Sequence, residues 1–238
     1  MSGRVHMVIT DRHGGAGVAP YDSRNLGGAV GDEPATVRRN RETTAVELGV
    51  DPSRVVFMRQ VHSADVTYVT GPFAGEPPAL DAVFTTEPAL ALCVLVADCA
   101  PVLIADASAG MVGAAHSGRA GTALGVVPAL VRAMAGRGAD PARMTALIGP
   151  AACGLCYEVS PALREEVAAG LPETWSTTRQ GTPALDVRAG VAAQLATEGV
   201  TDVRHDDRCT IETPSLFSYR RDHTTGRFAG YVWLGAAG

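Results

Sequence analysis

The sequence predicts a fold of the α+β (mixed α/β) class, and three observations lead to that prediction. Short apolar runs typical of strands are interleaved with segments of helical spacing. The hydrophobic content of 46% and charged content of 19% are typical of a globular chain. No internal repeat or Ser/Pro-rich linker divides the 238 residues, which predicts a single domain over 1–238.

The N-terminal elements begin with a strand over Val5–Thr10 and a glycine-rich loop. A helix is predicted over Pro34–Leu48, because Asp32 can cap its start, a proline occupies its first turn and Gly49 follows its end. Two further strands are predicted over Arg54–Met58 and Val66–Val69.

The centre of the chain contains the most apolar run, Leu90–Val96, which is typical of a strand buried on both faces. Val102–Asp106 and Met111–His116 follow as two strands joined by a hairpin turn. The remaining predicted elements are helices over Gly121–Met134, Pro161–Ala169 and Val187–Thr197, and strands over Thr145–Ile148 and Phe228–Leu234.

Charge and composition narrow the expected partners. The net charge of -5 and the absence of a long basic run argue against a nucleic-acid groove or an anionic membrane surface, so a small molecule is expected. All 20 basic residues are arginine, which excludes Schiff-base catalysis by lysine. The N-terminus lacks the apolar core of a signal peptide. The five cysteines are sparse and odd in number, so a disulfide framework is not expected. A cytoplasmic protein is expected.

The predicted hairpin brings a cysteine and a histidine together. If its turn is centred between Ser108 and Ala109, His116 lies opposite Pro101, and Cys99 becomes its diagonal neighbour on the same face. Imidazole and thiolate suit zinc, and three protein ligands leave a fourth position open. A slip of one residue would send the two side chains to opposite faces.

His62 is the natural candidate for a third ligand, because it lies in a segment that links two strands. The residues alone leave a structural alternative open. Cys99 at the end of a buried strand can be a small apolar side chain, and His116 beside a turn can simply be hydrogen-bonded.

A second cysteine pair, Cys153 and Cys156, is separated by two residues. No second pair of this spacing exists, so a four-cysteine zinc site is not expected, and the position deep in the chain argues against a thioredoxin-like redox site. Cys209 is expected to pack near the C-terminal strand.

Several sequence blocks closely resemble the signature of the laccase-domain family. The central ones are Gln60–His62, Ala97–Val102 and Ala115–Gly118. That family was first labelled multicopper polyphenol oxidase and later associated with purine nucleoside phosphorylase activity. Further matching blocks are Asn25–Gly27, Val30–Asp32, Asp81–Val83, Ile148–Pro150, Cys156–Val159, Cys209–Thr210, Phe217–Arg221 and Thr225–Arg227.

The resemblance implies a single layered domain of mixed sheets flanked by helices, like the laccase-domain and cytotoxic necrotizing factor-like hydrolase fold. It implies zinc on His62, Cys99 and His116, which would also be the catalytic residues. The implied activity is phosphorolysis of adenosine, inosine, guanosine and S-methyl-5'-thioadenosine, with adenosine deamination beside it. The expected partners are therefore a purine nucleoside and phosphate, and the expected assembly is a monomer or homodimer.

The resemblance also places three residues near the substrate: Asn25, Arg41 and Arg119. Many members read H-A-G-W-R-G where this chain reads His116–Gly121 as H-S-G-R-A-G, so the tryptophan is absent and the arginine has moved by one place. Arg41 is the first candidate for holding phosphate and Arg119 the second, because the chain has no lysine and an arginine fork must then hold the anion. Asp81 and Asp98 are candidate proton carriers, although a supporting role is favoured for both.

Four other functions are kept as alternatives. A copper-dependent polyphenol oxidase is disfavoured, because multicopper centres are rich in imidazole and the chain has six histidines. A hydrolase with Cys99 as nucleophile and His116 as base is the second alternative. Editing of peptidoglycan precursors is the third, and a binding module with a structural metal is the fourth.

Overall fold

The computed structural model describes residues 4–236, which form two large β-sheets, one two-stranded sheet and six α-helices. Seven strands and three helices lie in the first 140 residues. These are β1 Val5–Ile9, α1 Pro34–Glu47, β2 Val55–Val56, β3 Val66–Tyr68, β4 Ala82–Thr85, β5 Ala91–Val96, β6 Ala100–Asp106, β7 Met111–Ser117, α2 Arg119–Leu124 and α3 Val126–Ala135. The others are β8 Thr145–Ile148, α4 Pro161–Gly170, β9 Trp175–Thr177, β10 Pro183–Leu185, α5 Val187–Thr197, β11 Asp202–His205, α6 Tyr219–Asp222 and β12 Phe228–Leu234.

Both large sheets are mixed. One has four strands in the order β1-β12-β5-β2, and the other has six in the order β11-β8-β6-β7-β4-β3, while β9 and β10 pair separately. The β2–β5, β3–β4 and β8–β11 pairs are parallel and the rest antiparallel. The predicted α+β fold with mixed sheets is therefore confirmed.

The two sheets pack face to face, with helices on both outer surfaces. Leu103 and Ala105 of β6 point into the core between the sheets, whereas Val102 and Ile104 point into the core beneath α3 and α5. A third core lies on the outer face of the four-stranded sheet, where Ala45 of α1 packs. Because strand side chains alternate between faces, one buried strand serves two cores at once.

The register of the central hairpin agrees with the sequence prediction. Pro101 of β6 pairs with His116 of β7, and the turn occupies residues 107–110. Asp106 fixes this turn by accepting hydrogen bonds from the backbone N–H groups of Ser108 and Ala109, at 2.9 and 3.0 Å. Cys99 lies immediately before β6, next to the strand pair that carries His116.

The helix predicted over Gly121–Met134 is wrong as a single element. Two helices, α2 and α3, meet at Gly125, whose φ of 79° is in the left-handed region. Glycine adopts this conformation at little cost and ends a helix there. Pro128, which has no N–H to donate, lies in the first turn of α3, where that N–H has no helical partner.

Two further predictions need correction. Glu33, not Asp32, caps α1, because its carboxylate accepts from the Ala35 N–H at 3.3 Å. Asp32 uses its carboxylate on the Asn25 side chain and on the Glu33 N–H. The strand predicted over Arg54–Met58 shortens to Val55–Val56, since a 3-10 turn capped by Asp51 includes Arg54.

Five elements give too weak a pattern to be predicted from sequence. Four of them, β9, β10, β11 and α6, have only three or four residues each, and β11 is largely exposed. The fifth is β4, a four-residue strand that follows Asp81 and pairs with β7. Within residues 4–236, none of the helices combines the length and apolar character needed to cross a bilayer.

Candidate metal centre

Three side chains from distant parts of the chain converge beside the central hairpin. The ligand atoms of His62, Cys99 and His116 all lie within 4.8 Å of one another. Cys99 Sγ is 3.7 Å from His62 Nε2, and the two imidazole rings meet edge to face with centroids 4.7 Å apart. His116 is buried, Cys99 is half-buried and His62 is exposed, so the cluster opens to solvent on the His62 side.

Asp81 orients the buried imidazole. It immediately precedes β4, which pairs with β7, and its fully buried carboxylate lies 2.7 Å from His116 Nδ1 through Oδ1. The His116 N–H also donates to the Asp81 carbonyl at 2.8 Å. With Nδ1 engaged, Nε2 is the imidazole nitrogen left for a metal, an arrangement common around zinc-binding histidines.

The same carboxylate holds the His62 loop. Asp81 Oδ2 accepts from the backbone N–H groups of Val61 at 3.0 Å and Ser63 at 2.7 Å, the two neighbours of His62. His62 itself has a φ of 63°, which is uncommon for a residue with a Cβ. Gln60 anchors the loop further, because its amide both donates to and accepts from the backbone of Leu95. The favoured supporting role of Asp81 thus has a structural basis.

Cys99 is placed by the residue before it. Asp98 has a φ of 92°, and its carboxylate accepts from Thr210 Oγ1 at 2.6 Å and from the Arg220 N–H at 2.7 Å. Its carbonyl accepts from the Ala152 N–H at 2.9 Å. These contacts bind the connection between β5 and β6 to segments more than 50 residues away. Asp98 therefore supports the position of Cys99.

Gly118 provides the space in which the three ligands meet. A Cβ at this position would lie 2.7 Å from Cys99 Sγ and 2.9 Å from His62 Cδ2. Its φ of −85° and ψ of 179° suit any residue, so close approach and not backbone conformation requires glycine here.

Charges within the cluster are strongly coupled. Burial would raise the pKa of Cys99, but His116 and His62 lower it to about 6. Burial would lower the pKa of His116, but Cys99 and Asp81 raise it to about 9. Burial would raise the pKa of Asp81, yet His116 and two backbone N–H groups lower it to about 2. Near neutral pH, the pair without metal is therefore a thiolate facing an imidazolium.

The donor set and spacing fit one zinc ion. With Zn–S bonds of about 2.3 Å and Zn–N bonds of about 2.0–2.1 Å, a tetrahedral site has a sulfur–nitrogen edge of about 3.6 Å. The observed separation between Cys99 Sγ and His62 Nε2 is 3.7 Å. These three residues would hold the ion and would leave a coordination position for substrate or water, as in catalytic zinc sites.

Metal binding at this cluster is expected to release one proton from the Cys99–His116 pair at pH 7.5. The Cys99 pKa of about 6 means that the thiolate is already formed, whereas the His116 pKa of about 9 means that Nε2 must lose its proton. Zinc affinity through this pair should then rise about tenfold per pH unit from pH 7 towards 9. Calorimetric titration in buffers of different ionisation enthalpy measures the proton count, and a count of zero would contradict it.

Two guanidinium groups lie close to the glycine loop at residues 25–28. Arg41 donates to the Leu26 carbonyl at 2.8 Å and stacks over Phe57 at 4.0 Å. Arg227 donates to the carbonyls of Thr225 and Gly226. Among residues 4–236, neither forms a salt bridge with a carboxylate. Burial lowers the pKa of both groups, so each is a partly desolvated cation without a counter-ion.

Arg227 was missed by sequence reasoning, although it lies in one of the matching blocks. Burial lowers the pKa of Arg227, while Cys99, Asp98 and Tyr219 raise it, which locates its guanidinium near the candidate metal centre. Arg41 instead lies near Cys93 and Tyr231, on the outer face of the four-stranded sheet. The signal in the sequence was the matching block Thr225–Arg227, and in the structure Arg227 lies against Gly27.

Asn25 and Arg119 occupy different surroundings. Asn25 is buried and its amide makes four hydrogen bonds within the chain, one of them from the Arg227 N–H at 2.8 Å. It therefore positions Arg227, and a direct substrate contact stays a prediction. Arg119 begins α2 immediately after Gly118, and none of the hydrogen bonds found among residues 4–236 involves its guanidinium.

A second cluster lies outside the predicted site. Cys153 and Cys156 are joined by Cys209 and Glu212, with ligand atoms again within 4.8 Å of one another. The sequence motif indicated only the first two of these ligands. Cys209 was expected to pack near the C-terminal strand, and its contact with Cys153 was not predicted. The other two come from a turn more than 50 residues later, which spacing in the sequence does not reveal.

Comparisons with known proteins agree with this arrangement. Residues 6–235 match the family model described as multi-copper polyphenol oxidoreductase laccase. The chain is 58% identical to a protein of Streptomyces griseus named purine nucleoside phosphorylase ORF3, over 98% of this chain and 96% of that one. It is 47% identical to a Corynebacterium glutamicum protein also named purine nucleoside phosphorylase, over 97% and 94% of the two chains. The crystal structure of YlmD from Geobacillus stearothermophilus has a TM-score of 0.89 and 33% identity, covering 98% and 92%.

Proposed function

The chain belongs to the family described as multi-copper polyphenol oxidoreductase laccase, and from that premise we propose that it is a zinc-dependent purine nucleoside phosphorylase. The names of its relatives favour this activity within the family. The observation that carries the proposal is the open cluster of His62, Cys99 and His116 with a partly desolvated Arg227 beside it. A three-ligand cation site and an arginine that pairs with no carboxylate among residues 4–236 suit an anionic substrate.

In phosphorolysis, a phosphate oxygen forms a bond to the anomeric carbon of the nucleoside while the glycosidic C–N bond breaks. The electron pair of that bond goes to the purine, which takes up a proton, and ribose 1-phosphate is the second product. A zinc ion at the cluster would supply Lewis-acid stabilisation of negative charge. Binding of the phosphate and alignment of the cluster must be provided by side chains of the protein.

The protein must hold the phosphate and keep the cluster aligned. Arg227 and Arg41 are proposed to bind phosphate, because an arginine fork matches two phosphate oxygens and neither group pairs with a carboxylate within the described part of the chain. Arg119 is proposed to contact substrate from the start of α2. Asp81 holds the His116 ring and the His62 loop together, so that the cluster does not need to reorganise during the reaction.

Inosine distinguishes phosphorolysis from hydrolysis. We expect purified protein to release hypoxanthine from inosine when phosphate is present, with equimolar ribose 1-phosphate, and to release none without phosphate. Guanosine, adenosine and S-methyl-5'-thioadenosine should react in the same way. Release that does not depend on phosphate would show a hydrolase instead, and no release from any of the four nucleosides would overturn the proposed function.

The phosphate-binding arginines are tested in the same assay by the Michaelis constant for phosphate. Arg227→Gln should raise that constant more than it raises the constant for inosine. Arg41→Gln should do so less strongly, because burial lowers the pKa of both groups but Cys99 raises that of Arg227, whereas Cys93 and Tyr231 raise that of Arg41. Arg39→Gln on the exposed face of α1 is the matched control. An unchanged phosphate constant in the Arg227 variant would remove this residue from the proposal.

Adenosine deamination is proposed as an activity of the same site. Water adds at C6 of the purine and ammonia leaves, so inosine and ammonia accumulate without phosphate. Measuring ammonia with adenosine alone separates this reaction from phosphorolysis, which yields adenine. Because both reactions need the same cluster, loss of the metal should remove both together.

A second candidate function is a hydrolase with Cys99 as nucleophile, of the kind that would edit cell-wall peptide precursors. Burial opposes ionisation of Cys99, but His116 and His62 lower its pKa to about 6, as in activated thiols. Cys99→Ala separates the two functions, because either loses activity but only a ligand role loses zinc as well. Retention of one zinc at this cluster by the variant would favour the nucleophile.

Copper chemistry is the reaction that the family description suggests. Of the two ligand clusters found among residues 4–236, only one contains histidine, and it has two imidazoles and one thiolate. A multicopper centre needs several imidazole-rich sites. Metal analysis that finds several copper ions per chain would revive this function.

A further inference from the structure

We propose that Cys153, Cys156, Cys209 and Glu212 form a second, structural metal site that binds one zinc ion. All four ligand atoms lie within 4.8 Å of one another. Soft thiolates favour zinc, and four protein ligands close the coordination sphere, as in structural zinc sites. This inference does not depend on the reaction that the protein catalyses.

The four ligands come from two turns of the same form. Cys156 is three residues after Cys153, and its N–H donates to the Cys153 carbonyl at 2.9 Å. Glu212 is three residues after Cys209, and its N–H donates to the Cys209 carbonyl at 3.2 Å. Each turn therefore presents two ligands from its first and last residues. Two such turns facing each other are the usual way in which a chain surrounds a structural zinc ion.

Contacts outside the cluster fix the two turns against each other. The Thr210 N–H donates to the Ala151 carbonyl at 3.1 Å, and the Cys153 N–H donates to Cys209 Sγ at 3.4 Å. Gly154 packs so tightly that a Cβ would lie 2.5 Å from Ser176 Oγ. The ligands are therefore brought together by the fold, so that little reorganisation is needed when the ion binds.

The charges around the cluster suit thiolates bound to a cation. Arg179 Nη1 donates to Cys156 Sγ at 3.2 Å and also pairs with the Glu212 carboxylate. A guanidinium in this position balances the excess negative charge of three thiolates and one carboxylate around a divalent ion. A disulfide would use two of the three thiols and leave the third, together with Glu212, without a role.

The proposed ion would stabilise the first centre through Asp98. The Asp98 carbonyl accepts from the N–H of Ala152, which precedes Cys153, and its carboxylate accepts from Thr210, which follows Cys209. Both turns thus contact the residue that precedes Cys99. The second site is therefore proposed to fix the connection that carries the first.

The test is zinc content per chain, measured by mass spectrometry of protein purified under reducing conditions with zinc present. Wild-type protein should contain two zinc ions, Cys209→Ser one, His62→Asn one, and the double variant none. In cobalt-substituted protein, Cys209→Ser should remove three of the four cobalt–thiolate bonds and hence most of the thiolate charge-transfer absorption. Glu212→Gln, an exposed change that spares the fold, should weaken zinc binding at this site at least tenfold.

Cys93→Ala is the matched control, because Cys93 is a buried thiol outside both clusters and its loss should leave two zinc ions. A wild-type zinc content of one that disappears in His62→Asn would overturn the proposal. A protein mass lower by two hydrogens, together with a proteolytic fragment in which two of the three cysteines are linked, would show a disulfide and would also overturn the proposal. Failure of the nucleoside assay would leave the two-zinc result unaffected, so the two proposals fail separately.

Discussion

His62→Asn is expected to abolish metal binding at the first centre and, with it, nucleoside phosphorolysis. His62 is exposed, so the change spares the core, and asparagine tolerates the left-handed backbone that this position requires. Removing a residue that only supports a ligand costs about 10–100-fold in metal affinity. Removing one of three ligands should therefore cost more than about 100-fold, and activity should fall to that of metal-free protein.

Zinc affinity, measured by competition with a chromophoric chelator, checks this expectation beside the rate of hypoxanthine release. His205→Asn is the matched control, because His205 is an exposed histidine on β11 outside both clusters. Its zinc affinity and activity should equal those of the wild type. Wild-type activity in the His62 variant would show that the three-ligand cluster is not the catalytic centre.

The hairpin shows how far local sequence can determine a site. Periodicity fixed the two strands, the four-residue turn fixed their register, and the register placed Cys99 beside His116. These steps depend on contacts between residues fewer than 20 positions apart. The predicted bounds of Val187–Thr197 and Phe228–Leu234 are confirmed as well.

The supporting residues could not be derived in that way, because tertiary packing sets their partners. Asp81 could be assigned a supporting role, but its simultaneous contacts with His116 and the His62 loop depend on β4 pairing with β7. Arg227 approaches the centre because β12 crosses between β1 and β5. Glu212 has no pattern around it, and only the meeting of two remote turns makes it a candidate ligand.

A shared carboxylate and strained backbone indicate a site held in place before substrate arrives. His62 is itself a proposed ligand, and Asp98 immediately precedes the proposed ligand Cys99. Both residues have a positive φ. Such conformations persist only where surrounding contacts enforce them. Here the contacts are the Asp81 carboxylate for the His62 loop and the Thr210 and Arg220 contacts for Asp98. The centre therefore relies on the precise positions of its three ligands as well as on their chemical identity.

Gly118→Ala tests that reliance without removing a ligand, and it is expected to lower activity about 100-fold or more. The new Cβ would lie 2.7 Å from Cys99 Sγ, whereas ordinary contacts begin at 3.4 Å, so the sulfur must move by several tenths of an ångström. Metal sites tolerate deviations of about 0.2 Å, and a misplacement of about 1 Å can cost about 100-fold in rate. Zinc affinity should fall together with the rate.

Gly71→Ala provides the control, because Gly71 has no atom within 4 Å of the position of a new Cβ and its φ is outside the left-handed region. This variant should match the wild type in zinc content, rate and thermal stability. In Gly118→Ala the backbone is unstrained and the helices remain, so circular dichroism should be unchanged while zinc is lost. Full zinc affinity in that variant would mean that Cys99 and His62 can move apart freely, and the centre would then not be the preformed site described above.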